Sequence, residues 1–290
     1  MKHSGPLIKV ATLAARLGDA QLRIVDCRHD LSDPAGGRRA YVAGHIPGAL
    51  FMHLDEDLSG PCNGRNGRHP LPAPATFRAR LGALGIGPSH TVVAYDDAGG
   101  TMAARLWWML RWIGHEQVAV LDGGWPAWLA AGQATESRPG TPASTTYPAP
   151  ANEAEHSPAM PTLNVAALQQ ALTSGTVKLV DARAPERFAG RNETLDPVGG
   201  HIPGALNHFF RNNLTAEGFF RPAGELRAQF TALLGQHPPE QVVHQCGSGV
   251  TACHNLLAME VAGLPGTRLY PGSWSEWCSD PSRPVATGTN

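Results

Sequence analysis

Cys246 and its neighbours carry the strongest chemical signal in the chain. Val242-Val243-His244-Gln245 is a short run with β-branched valines and predicts a buried strand. Gly247-Ser248-Gly249 follows, and Thr251 to Glu260 predicts a helix ending at Gly263. A cysteine between strand end and helix start faces unpaired backbone N–H groups and the positive end of the helix dipole, which both stabilise an anionic sulfur. Gly247 and Gly249 let the loop curl around that sulfur as a nest of N–H donors. A cysteine alone would be read as a buried packing residue. Set between this strand and this helix, Cys246 is expected to be a nucleophile.

The same stretch, Cys246-Gly247-Ser248-Gly249-Val250-Thr251-Ala252, resembles the active-site loop of the two-domain sulfurtransferases, the rhodanese and 3-mercaptopyruvate sulfurtransferase family. Its Gly-Ser pair resembles the mercaptopyruvate branch, where the thiosulfate branch typically has Arg-Lys. The resemblance implies that Cys246 accepts sulfur and that Gly247, Gly249, Val250 and Thr251 line the donor. Arg187, before Phe188, matches the substrate arginine of the family's Gly-Arg-Phe/Tyr segment. The mercaptopyruvate branch uses a second arginine further on; Asn192 to Val198 has none, which leaves Arg191 as the substitute. An anionic donor suits such guanidinium forks. His45 and Ser248 match the histidine and serine to which proton transfer is assigned in that branch, whereas Asp30 to Gly37 offers no clear match for the accompanying acid.

His45 also has a plainer reading. Gly44-His45-Ile46-Pro47-Gly48 and Gly200-His201-Ile202-Pro203-Gly204 are tight-turn sequences in which a histidine can bond the turn's backbone. These two segments belong to an internal repeat. Leu22 to Arg28 recurs as Val177 to Arg183, Val92 to Asp96 as Val242 to Cys246, and Gly123-Gly124-Trp125 as Gly272-Ser273-Trp274. The copies lie about 150 residues apart, the size of a duplicated domain rather than a solenoid unit. Asp96 stands where the second copy has Cys246. A carboxylate cannot accept sulfur, so the first copy is expected to be non-catalytic.

The elements around these motifs alternate strand and helix, which predicts an α/β fold with parallel sheets covered on both faces. The resemblance implies two tandem rhodanese-like domains with five-stranded parallel sheets. The domains are expected at 1–132 and 162–290, joined by a proline-rich linker at 133–161. Trp125, Trp128, Trp274 and Trp277 are expected in the cores, Trp274 also walling the cleft. Cys253, two helical turns after Cys246, and Cys27 are expected to pack.

Lysine plus arginine number 23 against 24 acids, so charge points to neither nucleic acid nor membrane. Met1 to Lys9 lacks a signal-peptide core, and no apolar run reaches spanning length. Five irregularly spaced cysteines form neither a disulfide framework nor a zinc pattern, so a reducing cytoplasm is the expected home. The 13 histidines show no metal-ligand spacing, and no metal or organic cofactor is expected.

The expected activity is sulfur transfer from 3-mercaptopyruvate, or from thiosulfate as the alternative, through a Cys246 persulfide. The acceptor would be a thiol, such as thioredoxin or glutathione, or cyanide. A cysteine phosphatase would need arginine six residues after the cysteine, where this chain has Ala252. A non-catalytic rhodanese binding module typically lacks the loop cysteine.

Overall fold

A computed structural model describes residues 5–140, 143–149 and 160–289. Two compact units emerge. The first comprises Met1–Gly60, Pro72–Ala159 and Glu217–Phe219; the second comprises Pro61–Leu71, Met160–Ala216 and Phe220–Asn290. One difference from the expected division matters for function. The segment Pro61–Leu71 precedes most of the first unit's chain, yet it packs into the second.

The first unit holds strands β1 (Leu7–Ile8), β2 (Leu22–Asp26), β3 (Leu50–Phe51), β4 (Thr91–Tyr95) and β5 (Val118–Leu121). They form one parallel sheet in the order β1-β5-β4-β2-β3. The second holds β6 (Lys178–Asp181), β7 (Leu206–Asn207), β8 (Val242–Gln245) and β9 (Arg268–Leu269), parallel in the order β7-β6-β8-β9. The central strands are buried along nearly their whole length, as parallel strands covered by helices must be.

The second sheet therefore has four strands rather than five. Its missing edge survives as one parallel bridge, Thr162 to Leu269. The cause is covalent. In the first unit the Asp122 N–H donates to the Ile8 carbonyl at 2.9 Å and closes the β1–β5 edge. Pro271 occupies the matching place in the second repeat and has no N–H to give.

Each unit has its own core. Ile24, Val93, Tyr95, Leu121 and Trp128 pack in the first, and Leu179, Phe188, Val243, Trp274 and Trp277 in the second. Burying each such side chain contributes roughly 1.5–3 kcal/mol. Of the expected core tryptophans only Trp125 is half-buried. Cys27 and Cys253 are buried, as their packing reading required. The linker residues 133–140 and 143–149 contain no helix, and their one ladder contact is the Glu136 bridge to His45. Residues 141–142 and 150–159 of the expected linker lie outside the described residues. Among the described residues no helix is long and apolar enough to cross a membrane.

Candidate active site

β8 ends in the middle of its sheet, beside β6, where the strand order reverses direction. Ligands of open parallel sheets bind beyond the carboxyl ends of strands at such a point. Cys246 is the next residue, and the helix Thr251–Val261 begins five residues later. Cys246 is held by two backbone groups and one hydroxyl. Its N–H donates to Ser273 Oγ at 3.1 Å, its carbonyl accepts from Trp274 N–H at 3.0 Å, and its Sγ accepts from Gly249 N–H at 3.1 Å. The residue is 2% exposed. The sulfur thus sits in a small polar socket at the positive end of an 11-residue helix.

The loop glycines have different jobs. Gly249 has φ +77°, and a side chain there would collide with the main chain of Pro271, so both conformation and space require glycine. Gly247 has ordinary φ, but a Cβ would lie 2.9 Å from Arg68 Nη2 and 3.7 Å from both Arg187 Nη atoms. Its bareness makes room for guanidinium groups. The Gly247 carbonyl accepts from Ser275 N–H, and the Val250 carbonyl from Cys253 N–H. Thr251 opens the helix half-buried. Ser273 holds φ 54°, where the first repeat has Gly124 at φ 55°. A serine tolerates that region at a cost, and here its hydroxyl links Cys246 N–H to the Tyr270 carbonyl.

Ser248 bonds His69: Oγ and Nδ1 are 2.7 Å apart, both residues 6% exposed. His69 comes from the Pro61–Leu71 segment, and the sequence reading did not single it out. His45, expected at this serine, lies in the interior of the first unit. Its Nδ1–H donates to the Tyr41 carbonyl at 2.7 Å, and its ring stacks on Tyr41 at 4.0 Å. His201 does the same in the second unit, with the Phe188 carbonyl at 2.8 Å and the Phe188 ring at 3.7 Å. Two histidines making the same contacts in both repeats are turn residues. The physical reason is local: each ring's Nδ1–H is held by a nearby backbone carbonyl and its face is covered by an aromatic ring.

The arginines also sort by surroundings. Arg183 is 3% exposed and spent on structure: it grips Asp181, donates to the Gly200 carbonyl at 2.7 Å and lies 4.7 Å over the Trp274 ring. Arg187 reaches the loop while its fork binds Glu193 at 3.0 and 2.8 Å. Burial would raise the Glu193 carboxyl, but Arg187 and the N–H groups of Leu195 and Asp196 outweigh it and hold the group below the usual carboxylate range. Arg191 is exposed, and the guanidinium beside Arg187 at Gly247 is that of Arg68 instead. The only advance signal for Arg68 and His69 was an Arg-His pair inside a Pro- and Gly-rich loop; nothing in their spacing says which unit the loop enters.

Comparison with known proteins agrees with this geometry. The Rhodanese-like domain family matches residues 9–131 and again 164–280. A protein of Pseudomonas aeruginosa named "Probable 3-mercaptopyruvate sulfurtransferase" is 47% identical over 98% of this chain and 99% of its own length. The thiosulfate sulfurtransferase of Bos taurus is 36% identical, covering 88% of this chain and 84% of that protein. Among solved structures, the 3-mercaptopyruvate sulfurtransferase of Leishmania major superposes with TM-score 0.81 at 33% identity, covering 95% of this chain and 75% of that one.

Proposed function

Since the chain belongs to the rhodanese family, we propose that it is a sulfurtransferase carrying sulfane sulfur on Cys246. The observation that carries this reading is the socket: a sulfur at a strand end, against the Gly249 N–H at 3.1 Å, one residue from a guanidinium-lined glycine. The Cys246 thiolate attacks the sulfur of a small anionic donor. With 3-mercaptopyruvate the C–S bond breaks, its electron pair leaves on carbon as the enolate of pyruvate, and that carbon takes up a proton. With thiosulfate the S–S bond breaks and sulfite leaves. Either way the enzyme holds a persulfide, whose negative charge the loop N–H groups and helix terminus stabilise. A thiol such as thioredoxin or glutathione, or cyanide, then removes the outer sulfur.

The Ser248–His69 pair favours 3-mercaptopyruvate as donor. That reaction moves the mercapto proton to carbon, and a serine bonded to an imidazole is a route for it. Thiosulfate cleavage needs no such proton. The neutral Gly247-Ser248 loop points the same way. The first unit carries no sulfur in this scheme. Five cysteines without disulfides fit a reducing cytoplasm.

The test is to treat the protein with each donor and weigh its peptides. One added sulfur on the Cys246 peptide is expected, with a higher kcat/KM for 3-mercaptopyruvate than for thiosulfate at a common acceptor. Sulfur on Cys27 or Cys253 would remove the assignment, and a chain that takes up none would be a binding module.

A further inference from the structure

The first unit holds a cluster that sulfur transfer does not use. β2 and β3 run side by side, with Asp26 paired to Phe51, so the loops that follow them leave the sheet at the same end. His29 lies three residues beyond β2, and His53 and Asp55 lie two and four beyond β3. One donor atom from each of the three falls within 4.8 Å of the others. The His29 and His53 rings meet edge to face, with centroids 5.0 Å apart. The spacing of these residues along the chain is no metal-binding pattern; the pairing of two parallel strands is what gathers them.

Both imidazoles are set as metal ligands are. His53 Nε2–H donates to the Pro34 carbonyl at 2.8 Å, which fixes the tautomer and leaves the lone pair on Nδ1. That Nδ1 accepts the Asp55 N–H at 3.2 Å and stands 3.9 Å from Asp55 Oδ2. His29 is 9% exposed, and its Nδ1 is buried with no hydrogen-bond partner among the described residues. A buried polar atom in that state calls for a physical explanation. The helix Gly36–Ala43 pins the backbone beneath it, since a Cβ on Gly37 would strike the Arg28 carbonyl and come within 3.2 Å of His29 Cα. His29 also lines a cavity of about 500 Å³ with Arg28, Asp30, Gly37, Asp97 and Met102, which gives an ion a way in. In the second repeat Ala184, Phe209 and Arg211 take the matching places, so the shared frame does not require this cluster.

We propose that His29, His53 and Asp55 bind a divalent transition-metal ion of the zinc class, with a fourth position open to water. Two imidazoles select this class over calcium and magnesium, which take oxygen donors. Zinc bonds of about 2.0–2.1 Å in a tetrahedron set the donor atoms about 3.3 Å apart. The cluster closes to that spacing by side-chain rotation, the Asp55 side chain being 44% exposed. The ion then takes the His53 lone pair in place of the Asp55 N–H. The inference is independent of the role of Cys246, and it gives the first unit a ligand of its own.

The experiment uses the full chain carrying Cys246→Ala, so that the reactive thiol does not compete for metal, with zinc and cobalt(II) ions as probes. Equilibrium dialysis should find one ion per chain. The cobalt protein should show the visible bands of a low-coordinate site with nitrogen and oxygen ligands, without the near-ultraviolet band of a cobalt–thiolate bond. His29→Gln, His53→Gln and Asp55→Ala, each added to that chain, should weaken binding by at least about tenfold. No uptake, uptake only with a thiolate band, or an affinity unchanged in His29→Gln or Asp55→Ala would each overturn the proposal. Should a histidine variant fail to fold, as judged by thermal melting without metal, Asp55→Ala decides alone, because its exposed side chain can be removed without opening the core.

Discussion

The loops after β4 and β8 are built on one frame and end in opposite chemistry. In the first repeat Arg28 grips Asp26, donates to the Gly44 carbonyl at 2.6 Å and lies 4.7 Å over Trp125; in the second Arg183 does the same with Asp181, Gly200 and Trp274. The strand-end carbonyl accepts the following tryptophan's N–H in both, Trp125 to Asp96 at 2.7 Å and Trp274 to Cys246 at 3.0 Å. On this shared frame the side chain in the socket differs. Asp96 takes N–H bonds from Ala98, Gly100, Met102 and Ala103, all between 2.7 and 2.9 Å. Burial pushes its carboxyl up while those donors pull it down. In both repeats the loop turns backbone N–H groups onto the side chain at the strand end, four onto Asp96 and that of Gly249 onto Cys246. A short carboxylate fills the socket in the first repeat; in the proposed scheme the second repeat's cysteine leaves it for the charge of the persulfide.

Removing each of the two side chains in turn is the strongest way to break that comparison. Cys246→Ala should lower sulfur transfer by at least about a thousandfold, because no other atom can carry the sulfur, with little change in melting temperature. Asp96→Ala should do the reverse. It strands several buried N–H donors, each costing about 1–3 kcal/mol, so a stability loss of about 3–5 kcal/mol in denaturant unfolding is expected. An Asp96→Ala protein as stable as wild type would show that its socket needs no anion.

The histidines sharpen the comparison next. His69→Asn should cut kcat for 3-mercaptopyruvate by roughly 10²-fold, in the range of lost acid–base catalysis, and thiosulfate turnover far less. His45→Asn should instead lower stability, with equal and small effects on both donors. Equal losses for both donors in His69→Asn would remove the proton-transfer role.

A third contrast lies two residues before Asp96 and Cys246. The second repeat has His244 where the first has Ala94, and burial holds the His244 imidazole neutral, with its pKa down to about 3. The folded value lies below the unfolded one, so the unfolded chain binds more protons and stability falls as pH drops from about 6.5 toward 3, by up to about 1.4 kcal/mol per pH unit. His244→Ala should flatten the slope of unfolding free energy against pH by up to one proton in that window. An unchanged slope would mean that His244 is already charged in the fold.

The smallest effect concerns the sheet edge. Pro271→Ala restores an N–H opposite the Leu163 carbonyl, a gain of about 0.5–1.5 kcal/mol set against proline's stiffening of the unfolded chain. Net stability should stay within about 1 kcal/mol, and the new amide should be protected in hydrogen exchange. Rapid exchange there would show that something besides the missing donor keeps the edge short.

Much of this was legible in the chain. The strand–Cys246–helix motif, the duplication and the Asp96 substitution are local patterns, and local pattern decides strand, turn and helix. Pro271 could have been read too, since a proline opposite an edge strand removes a rung in any context. His45 was not legible in the same way. A motif match cannot tell a ring that faces a substrate from one folded onto its own turn, and that is decided by the Tyr41 carbonyl and ring it meets.

By itself, then, the amino-acid order pointed to the candidate nucleophile and to the copy that carries it. These follow from a strand, a glycine turn and a helix start that lie together within about twenty residues of sequence. Tertiary structure alone decided which imidazole meets Ser248 and which guanidiniums meet Gly247. Arg68 and His69 lie about 180 residues before the loop they serve, and they arrive because Pro61–Leu71 packs into the second unit. Packing free energy, summed over many weak contacts, chooses that destination, and no spacing along the chain encodes it.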